Sequence, residues 1–378
     1  MKIVYGKSYN IQSDILGRVT FGRKNIFSRA NEILVTNSSS RNTYNYRAVI
    51  TSDSKYTDNK KYCITDSIND FKEGDIVLLN SSGEIVFLYE SQLNSNALLV
   101  TERCNHRCIT CPQPPVNYEK CKTNFNLELI SLMDKNTIEI GITGGEPTII
   151  GDDLFIIINH IKKRLPKAAI SILSNGVRFS DMDYTVKLAK CGHKNLQVDI
   201  PLFSDIASAH NNMVGASTFY KTVYGLYNLA RLHQKIGIRI VINKQNYKRL
   251  PYLSEFIYRN FPFVSQVAFM GMEVIGNAEI NFDELWIDSY QYMNELKEAV
   301  IMLDNRGLSP CIYNTQLCIL PNEIRKYAKR SISEWKNIYI EKCDSCLQKE
   351  CCAGLFASNR QYHSRYINPI SEIYSLLD

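Results

Sequence analysis

From about residue 95 to residue 305 short apolar runs alternate with amphipathic stretches, and nothing else in the chain restricts the fold so much. The apolar runs are 97–101, 138–143, 168–173, 196–203, 238–243 and 264–271. Helical patterns lie between them near 127–134, 152–163, 181–191, 217–235 and 250–259, and another, 283–303, follows the sixth run. Such repetition predicts an α/β fold with a parallel sheet and right-handed crossovers. Six units predict an open, partial (β/α)6 barrel rather than a closed barrel of eight strands. Active sites of such barrels sit at the C-terminal ends of the strands.

Two of those strand ends carry unusual residues. The first run leads into CNHRCITC, which places Cys104, Cys108 and Cys111 on one polar loop. Thiolates so close together suit one metal centre, and soft sulfur selects an iron–sulfur cluster, zinc or Cu(I). Three ligands leave one position open, as catalytic metal sites do. A zinc knuckle completed by Cys121 or His106 is the alternative from these residues alone. The second run ends in Gly144-Gly145-Glu146-Pro147. Its glycines permit close backbone approach, Glu146 offers a carboxylate to an ammonium group, and Pro147 fixes φ after it.

A C-x3-C-x2-C loop followed one βα unit later by GGEP resembles the radical SAM superfamily. The resemblance implies that Cys104, Cys108 and Cys111 hold a 4Fe–4S cluster whose unique iron chelates S-adenosylmethionine (SAM). It implies that Gly144, Gly145 and Glu146 meet the ammonium of SAM. A zinc knuckle has no use for the second loop. Thr110 departs from the aromatic residue usual before the third cysteine. The third run ends in Ser174-Asn175-Gly176, a turn sequence anywhere. In relatives such residues serve the ribose or the methionine carboxylate of SAM, and Ser204 after the fourth run resembles a serine placed there too. Ser204 also reads as a local cap or turn residue. His210 is expected to be structural, His160 and His233 surface or packing residues, and Met270 and Met272 core. The glycines of FMGMEVIGNA suit close approach to cofactor or substrate. No catalytic acid, base or nucleophile is singled out.

Residues 1–92 read as a β-rich unit in which YRAVI and KKYCIT alternate with polar turns such as 38–42. The clearest element is a hairpin over 74–90, turned at Asn80-Ser81-Ser82-Gly83. Peptide docking, a cover over the site, or a structural cap are equally open for it. Residues 93–305 are the barrel. Residues 306–378 hold a second cysteine set, Cys318 with Cys343, Cys346 and Cys352 in C-x2-C-x5-C spacing. Four thiolates make a closed site, structural zinc or a fully ligated cluster. Cys351 competes with Cys352, which gives the five-residue gap and abuts Ala353-Gly354. This set resembles the auxiliary-cluster (twitch, SPASM-like) domain of radical SAM peptide maturases, which implies a second 4Fe–4S cluster. Cys63, Cys121, Cys191 and Cys311 have no partner pattern and read as buried thiols.

The words NALLVTERCNHRCITCPQPP, YNTQLCIL and RSISEWKNIYIEKC resemble the C component, a radical SAM maturase, of the His-Xaa-Ser repeat peptide system. The implied substrate is a small ribosomally made precursor. The implied partners are an electron donor such as flavodoxin or ferredoxin and a second radical SAM enzyme. The alternative is a radical SAM enzyme acting on a small molecule or nucleotide, like the cyclase of molybdenum cofactor synthesis. The double-glycine tail of that cyclase is not matched by SEIYSLLD. A non-enzymatic scaffold would need no ammonium-binding carboxylate. The charge of +6, from 44 basic and 38 acidic residues without clustering, does not argue nucleic acid. No apolar run of about 18 residues suggests a membrane span. Twelve cysteines without a signal-like N-terminus are expected of a cytoplasmic metalloprotein.

Overall fold

The computed structural model describes residues 2–22, 25–37, 43–118, 120–334 and 336–372. The polar turn at 38–42, Trp335 and the terminal residues 373–378 lie outside them. The N-terminal strands are β1 (Ile3–Tyr5), β2 (Lys7–Tyr9), β3 (Ile15–Thr20), β4 (Glu32–Thr36), β5 (Ala48–Thr51), β6 (Tyr62–Ile64), β7 (Ile76–Leu79) and β8 (Glu84–Tyr89). They form one sheet in the order β1-β8-β7-β3-β4-β5-β6-β2. The expected hairpin is β7–β8. Asn80 Oδ1 accepts the N–H groups of Ser82 and Glu84 at 3.0 and 2.9 Å, which closes the turn. Only Gly6 separates β1 from β2, so one segment supplies both outer strands. Each outer strand is three residues long, which leaves little edge for another chain to join.

The second sheet holds β9 (Ser95–Thr101), β10 (Glu139–Gly144), β11 (Ala169–Leu173), β12 (Leu196–Pro201), β13 (Lys235–Val241) and β14 (Gln266–Met270). These are the six expected strands, in sequential order and all parallel. Two more, β15 (Pro310–Tyr313) and β16 (Ala328–Lys329), extend it to eight. The sheet stays open, because β9 and β16 are its two edges. The helices are α1 (Thr123–Leu132), α2 (Asp153–Arg164), α3 (Met182–Lys190), α4 (Ala207–Val214), α5 (Phe219–Arg231), α6 (Leu250–Asn260), α7 (Asn277–Ile280), α8 (Phe282–Leu285) and α9 (Met293–Asn305). The helix expected over 217–235 stops at Arg231, because His233 turns to φ +54 and Lys235 opens β13. The helix expected over 283–303 is broken by Asp288, whose carboxylate accepts Tyr290 N–H at 3.0 Å.

Alternation along these strands decides what each face of the sheet does. Ile140, Ile142, Ile170, Ile172, Val198 and Ile200 are buried with the helices in the main core. The residues between them are Glu139, Gly141, Ser171, Gln197 and Asp199. A parallel sheet covered on both faces reads as a continuous apolar run. Alternation here means one face lined by helices and one concave, polar face. The N-terminal sheet docks by Leu16, Ile76 and Tyr89, which join the same core. Tyr89 Oη lies 3.0 Å from Thr137 Oγ1, and Arg47 pairs with Glu128 at 2.8 Å. Beyond the sheet the chain forms the short pair β17 (Asn337–Ile338) and β18 (Leu355–Phe356). Leu317, Ile324, Leu355, Ile367 and Ile370 join the main core, so the C-terminal region shares the barrel's core. Among the described residues no helix is long and apolar enough to cross a membrane.

Candidate active site

The cysteine loop leaves β9 and is gripped from both sides. Arg107 N–H and Ile109 N–H donate to Val214 and Met213 carbonyls at the end of α4, both at 3.0 Å. Asn277, at the start of α7, donates its N–H to Cys111 O at 2.8 Å and its side-chain amide to Cys108 O at 2.9 Å. Asn281 reaches Ile109 O at 3.2 Å. The glycine before α7 serves this grip rather than a ligand. A Cβ on Gly276 would lie 2.6 Å from Pro112 O and 2.8 Å from Cys111 O. Met272 packs beside Phe203 and Met213 as expected, but Met270 faces the concave side of the sheet.

The GGEP loop runs alongside the cysteine loop. Gly145 N–H and Glu146 N–H donate to Thr101 O and Arg103 O, both at 2.8 Å. A Cβ on Gly145 would lie 2.2 Å from Arg103 O, inside contact distance of rigid backbone. The close approach that these glycines permit is therefore to the strand end carrying the cysteines. Glu146 is 1% exposed. Its Oε1 accepts Thr148 N–H at 3.0 Å, Thr148 Oγ1–H at 2.7 Å and Ser174 Oγ–H at 2.8 Å. Its Oε2 accepts Asn175 N–H at 2.6 Å. Asn175 in turn donates its side-chain amide to Asn105 Oδ1 in the cysteine loop at 2.7 Å. Glu146, Ser174 and Asn175 thus bind one another and lock the first three strand ends together. Burial pushes the Glu146 carboxyl pKa up, and the donors around it pull it back. Three donors crowd onto Oε1 while Oε2 takes one, so of the two acceptor sites on Oε2 one has no protein donor and can face a ligand cation.

Glu146→Gln tests the lock. The new amide presents N–H2 either to Asn175 N–H or to the Thr148 and Ser174 donors, so at least one buried donor loses its acceptor. The expected cost is about 1–3 kcal/mol of unfolding free energy, read from urea denaturation, with iron content unchanged. A variant as stable as the parent contradicts the lock.

Ser204 takes the local role. It is 3% exposed, and its Oγ accepts Ile206 N–H at 3.1 Å at the entry to α4. His210 is structural: it is 1% exposed, its Nδ1 accepts Phe203 N–H at 3.3 Å, and its ring meets Phe219 edge-on. His106 is buried, its Nε2 lies 3.0 Å from Thr218 Oγ1, and burial pulls its pKa down to about 4. His160 packs at 2.9 Å on Ser131 Oγ. Cys121 is exposed, where a buried thiol was expected, because it sits in the loop ahead of α1 beside Thr123 and Asp153. Cys63, Cys191 and Cys311 are buried. Sequence reasoning passed over Asn105, Thr148, Thr218, Asn277 and Asn281. The Asn277 and Asn281 pair, one helical turn apart after a glycine, was the available signal.

Both cysteine sets have the chemistry of a cluster site. Cys104, Cys108 and Cys111 are half-buried, and His106 N–H points at Cys104 Sγ at 3.4 Å. Burial, then the charges of Cys111 and Cys104, push the Cys108 pKa up to about 12. Such a thiol ionises near neutral pH only when a metal takes its proton's place. In the C-terminal set, Leu317 and Gly354 N–H groups point at Cys352 Sγ at 3.5 Å, and Ile370 N–H points at Cys346 Sγ at 3.4 Å. Donors of this kind tune iron–sulfur centres. Cys318, Cys343, Cys346 and Cys352 line one cavity with Leu355, Ile367 and Ile370. Cys351 is exposed and does not line it. Among the described residues, no three His, Cys, Asp or Glu side chains form a group that could hold a single metal ion. A four-iron cluster takes one thiolate per iron and so tolerates wider spacing.

Residues 98–257 match the family model of the radical SAM superfamily. This segment is similar to radical SAM domains. GTP 3',8-cyclase of Campylobacter jejuni subsp. doylei is 32% identical over 117 residues, 29% of this chain and 36% of that enzyme. The match thus spans about a third of the curated relative's length. Streptococcus suis SuiB, solved with bound S-adenosylmethionine, is similar with a TM-score of 0.50 and 16% identity, over 59% of this chain and 51% of that one. Native anSMEcpe, solved with bound AdoMet, is similar with a TM-score of 0.51 and 13% identity, over 72% of this chain and 91% of that one. At these identities both structures speak for the radical SAM fold alone. The superfamily implies a 4Fe–4S cluster and SAM, and the donor chemistry of the cysteine loop fits them.

Proposed function

We propose that this protein is a radical SAM peptide maturase. The observation that carries the reading is the pair of thiol sets on one shared core. An open three-thiol loop is locked to the GGEP and SNG strand ends, and a closed four-thiol set is served by backbone N–H donors. When bound, the cluster and SAM supply a 5'-deoxyadenosyl radical that takes a hydrogen atom from the substrate. Cys104, Cys108 and Cys111 are the ligands we assign to it. Gly144, Gly145 and the free acceptor site of Glu146 face the SAM ammonium in this reading. Ser174 and Asn175 act through the lock, and Ser204 through the turn it closes. Cys318, Cys343, Cys346 and Cys352 are assigned to a second, auxiliary cluster. The substrate is a ribosomally made precursor peptide, with His-Xaa-Ser repeats as the resemblance of the cysteine-rich words implies. An external donor such as flavodoxin or ferredoxin delivers the electron, and a second radical SAM enzyme acts on the same precursor.

The similarity to GTP 3',8-cyclase favours a second reading, in which a nucleotide is the substrate. One experiment separates them. Reconstituted, reduced enzyme with SAM is given a His-Xaa-Ser precursor peptide in one vessel and GTP in another. A mass change in the peptide with GTP untouched is the expected result. Consumption of GTP with an unchanged peptide overturns the maturase reading.

A further inference from the structure

The concave face of the parallel sheet encloses a cavity of about 730 Å³, within the range of about 300–1,000 Å³ usual for ligand sites. Polar and charged side chains line it, among them Glu139, Asp199, Lys235, Arg239, Gln266 and Tyr313. Three of these are held by hydrogen bonds within the cavity. Asp199 accepts Ser171 Oγ–H at 2.6 Å and Gln197 Nε2–H at 2.8 Å. Gly237 makes room for it, since a Cβ there would lie 2.0 Å from Asp199 Oδ1. Gln266 donates to Tyr313 Oη at 3.0 Å.

Arg239 stands closest to this paired group, since Asp199 and Tyr313 act on its charge, yet it shares none of these bonds. It stands mid-strand on β13, and its Nε donates to the thioether of Met270 at 3.4 Å. A thioether is a weak acceptor for so strong a donor. Among the described residues Arg239 makes no ion pair, and its terminal nitrogens have no hydrogen-bond acceptor. Burial pushes its pKa down, and the charges of Asp199 and Tyr313 pull it back up. The guanidinium is half-buried and opens on the cavity, so an anion entering there can pair with it by charge-assisted bonds.

We propose that Arg239 is a specificity residue that binds a carboxylate of the substrate within the sheet's concave cavity. The proposal rests on the peptide reading, and the carboxylate is then an acidic side chain or a C-terminus near the modified residue. The cavity is lined by Lys235, Arg239 and Arg330 against Glu139 and Asp199, an excess of one positive charge that suits a single negative group. The several charges of a nucleotide triphosphate would meet both acids.

The test uses reconstituted holoenzyme saturated with SAM and four small probes, with binding read by ligand-detected NMR. N-acetyl-aspartate amide is compared with N-acetyl-asparagine amide, and GMP with guanosine. The aspartate probe is expected to bind at least about tenfold tighter than its neutral twin, as a charge-assisted bidentate bond allows. Arg239→Gln should bring that ratio close to one, and Arg239→Lys should keep part of it, with iron content and circular dichroism unchanged in both. No aspartate preference in the parent, or the same preference in Arg239→Gln, overturns the carboxylate site and leaves peptide modification standing. A preference for GMP alone that disappears in Arg239→Gln overturns the carboxylate assignment and the peptide reading together. An Arg239-dependent aspartate preference in an enzyme that leaves the precursor unchanged supports the site and sinks the maturase reading.

Discussion

Replacing Cys104, Cys108 and Cys111 together by Ala should abolish SAM cleavage and leave about four irons per chain in place of about eight. The protein should still fold. The loop is held by main-chain bonds from Arg107, Ile109 and Cys111 to α4 and α7, and none of these uses a sulfur atom. The thiols are half-buried, and Cys108 packs only at the edge of the small Phe203–Met213 cluster. What the substitution removes is the proposed ligand set, on the loop that Asn105 and Asn175 tie to the GGEP and SNG strand ends. The four-thiol set is left intact, which is why half of the iron remains. Elemental analysis of anaerobically purified and reconstituted protein checks the count, and chromatography for 5'-deoxyadenosine checks cleavage. Zinc in place of iron in the parent would contradict the assignment.

Cys346→Ala should remove the second cluster while the first and its SAM cleavage stay. The effect on order is expected to be large because this region has little regular structure of its own. Its paired strands are two residues each, and most of the rest is single turns. Cys346 Sγ also receives Ile370 N–H, beside the Leu347 N–H to Ile370 O bond of 3.0 Å that ties down the terminal segment. In the proposed reading, ligation would therefore supply much of the local order. Residues 339–372 should be cut by trypsin at least about tenfold faster, as a loss of about 1.4 kcal/mol or more in local stability implies. Leu317 and Ile324 stay in the barrel core and limit the damage to that stretch. Peptide modification should disappear. Modification at the parent rate would show the second cluster to be dispensable. Cys351→Ala, by contrast, should keep full iron, since that thiol is exposed.

The barrel was legible because each of its strands is a short apolar run bounded by turn residues, and the run lengths exclude helices. β15 and β16 were not, because four residues and two residues carry no period. The placement of the cysteine and GGEP loops at neighbouring strand ends followed from the βα repeat. Their mutual contacts did not. That Glu146 spends three of its bonds on Thr148 and Ser174 and a fourth on Asn175 is a tertiary fact, which spacing along the chain cannot express. Glycines at 144, 145 and 276 were legible as close approaches, but the approaching atoms are backbone of the end of β9 and of the cysteine loop. The alternation in IEIGIT, LQVDIP and KIGIRIV marked a polar concave face in plain sight. The C-terminal region looked separate because its composition changes, whereas its Leu and Ile residues join the barrel's core.

The central claim is that one thiol set leaves an iron open to SAM and the other does not. Electron paramagnetic resonance of the dithionite-reduced protein tests it. Adding SAM to the parent should change the signal of one cluster. In the Cys104/Cys108/Cys111→Ala variant the remaining signal should be the same with and without SAM. A parent signal that SAM leaves untouched, or a variant signal that SAM alters, contradicts the account.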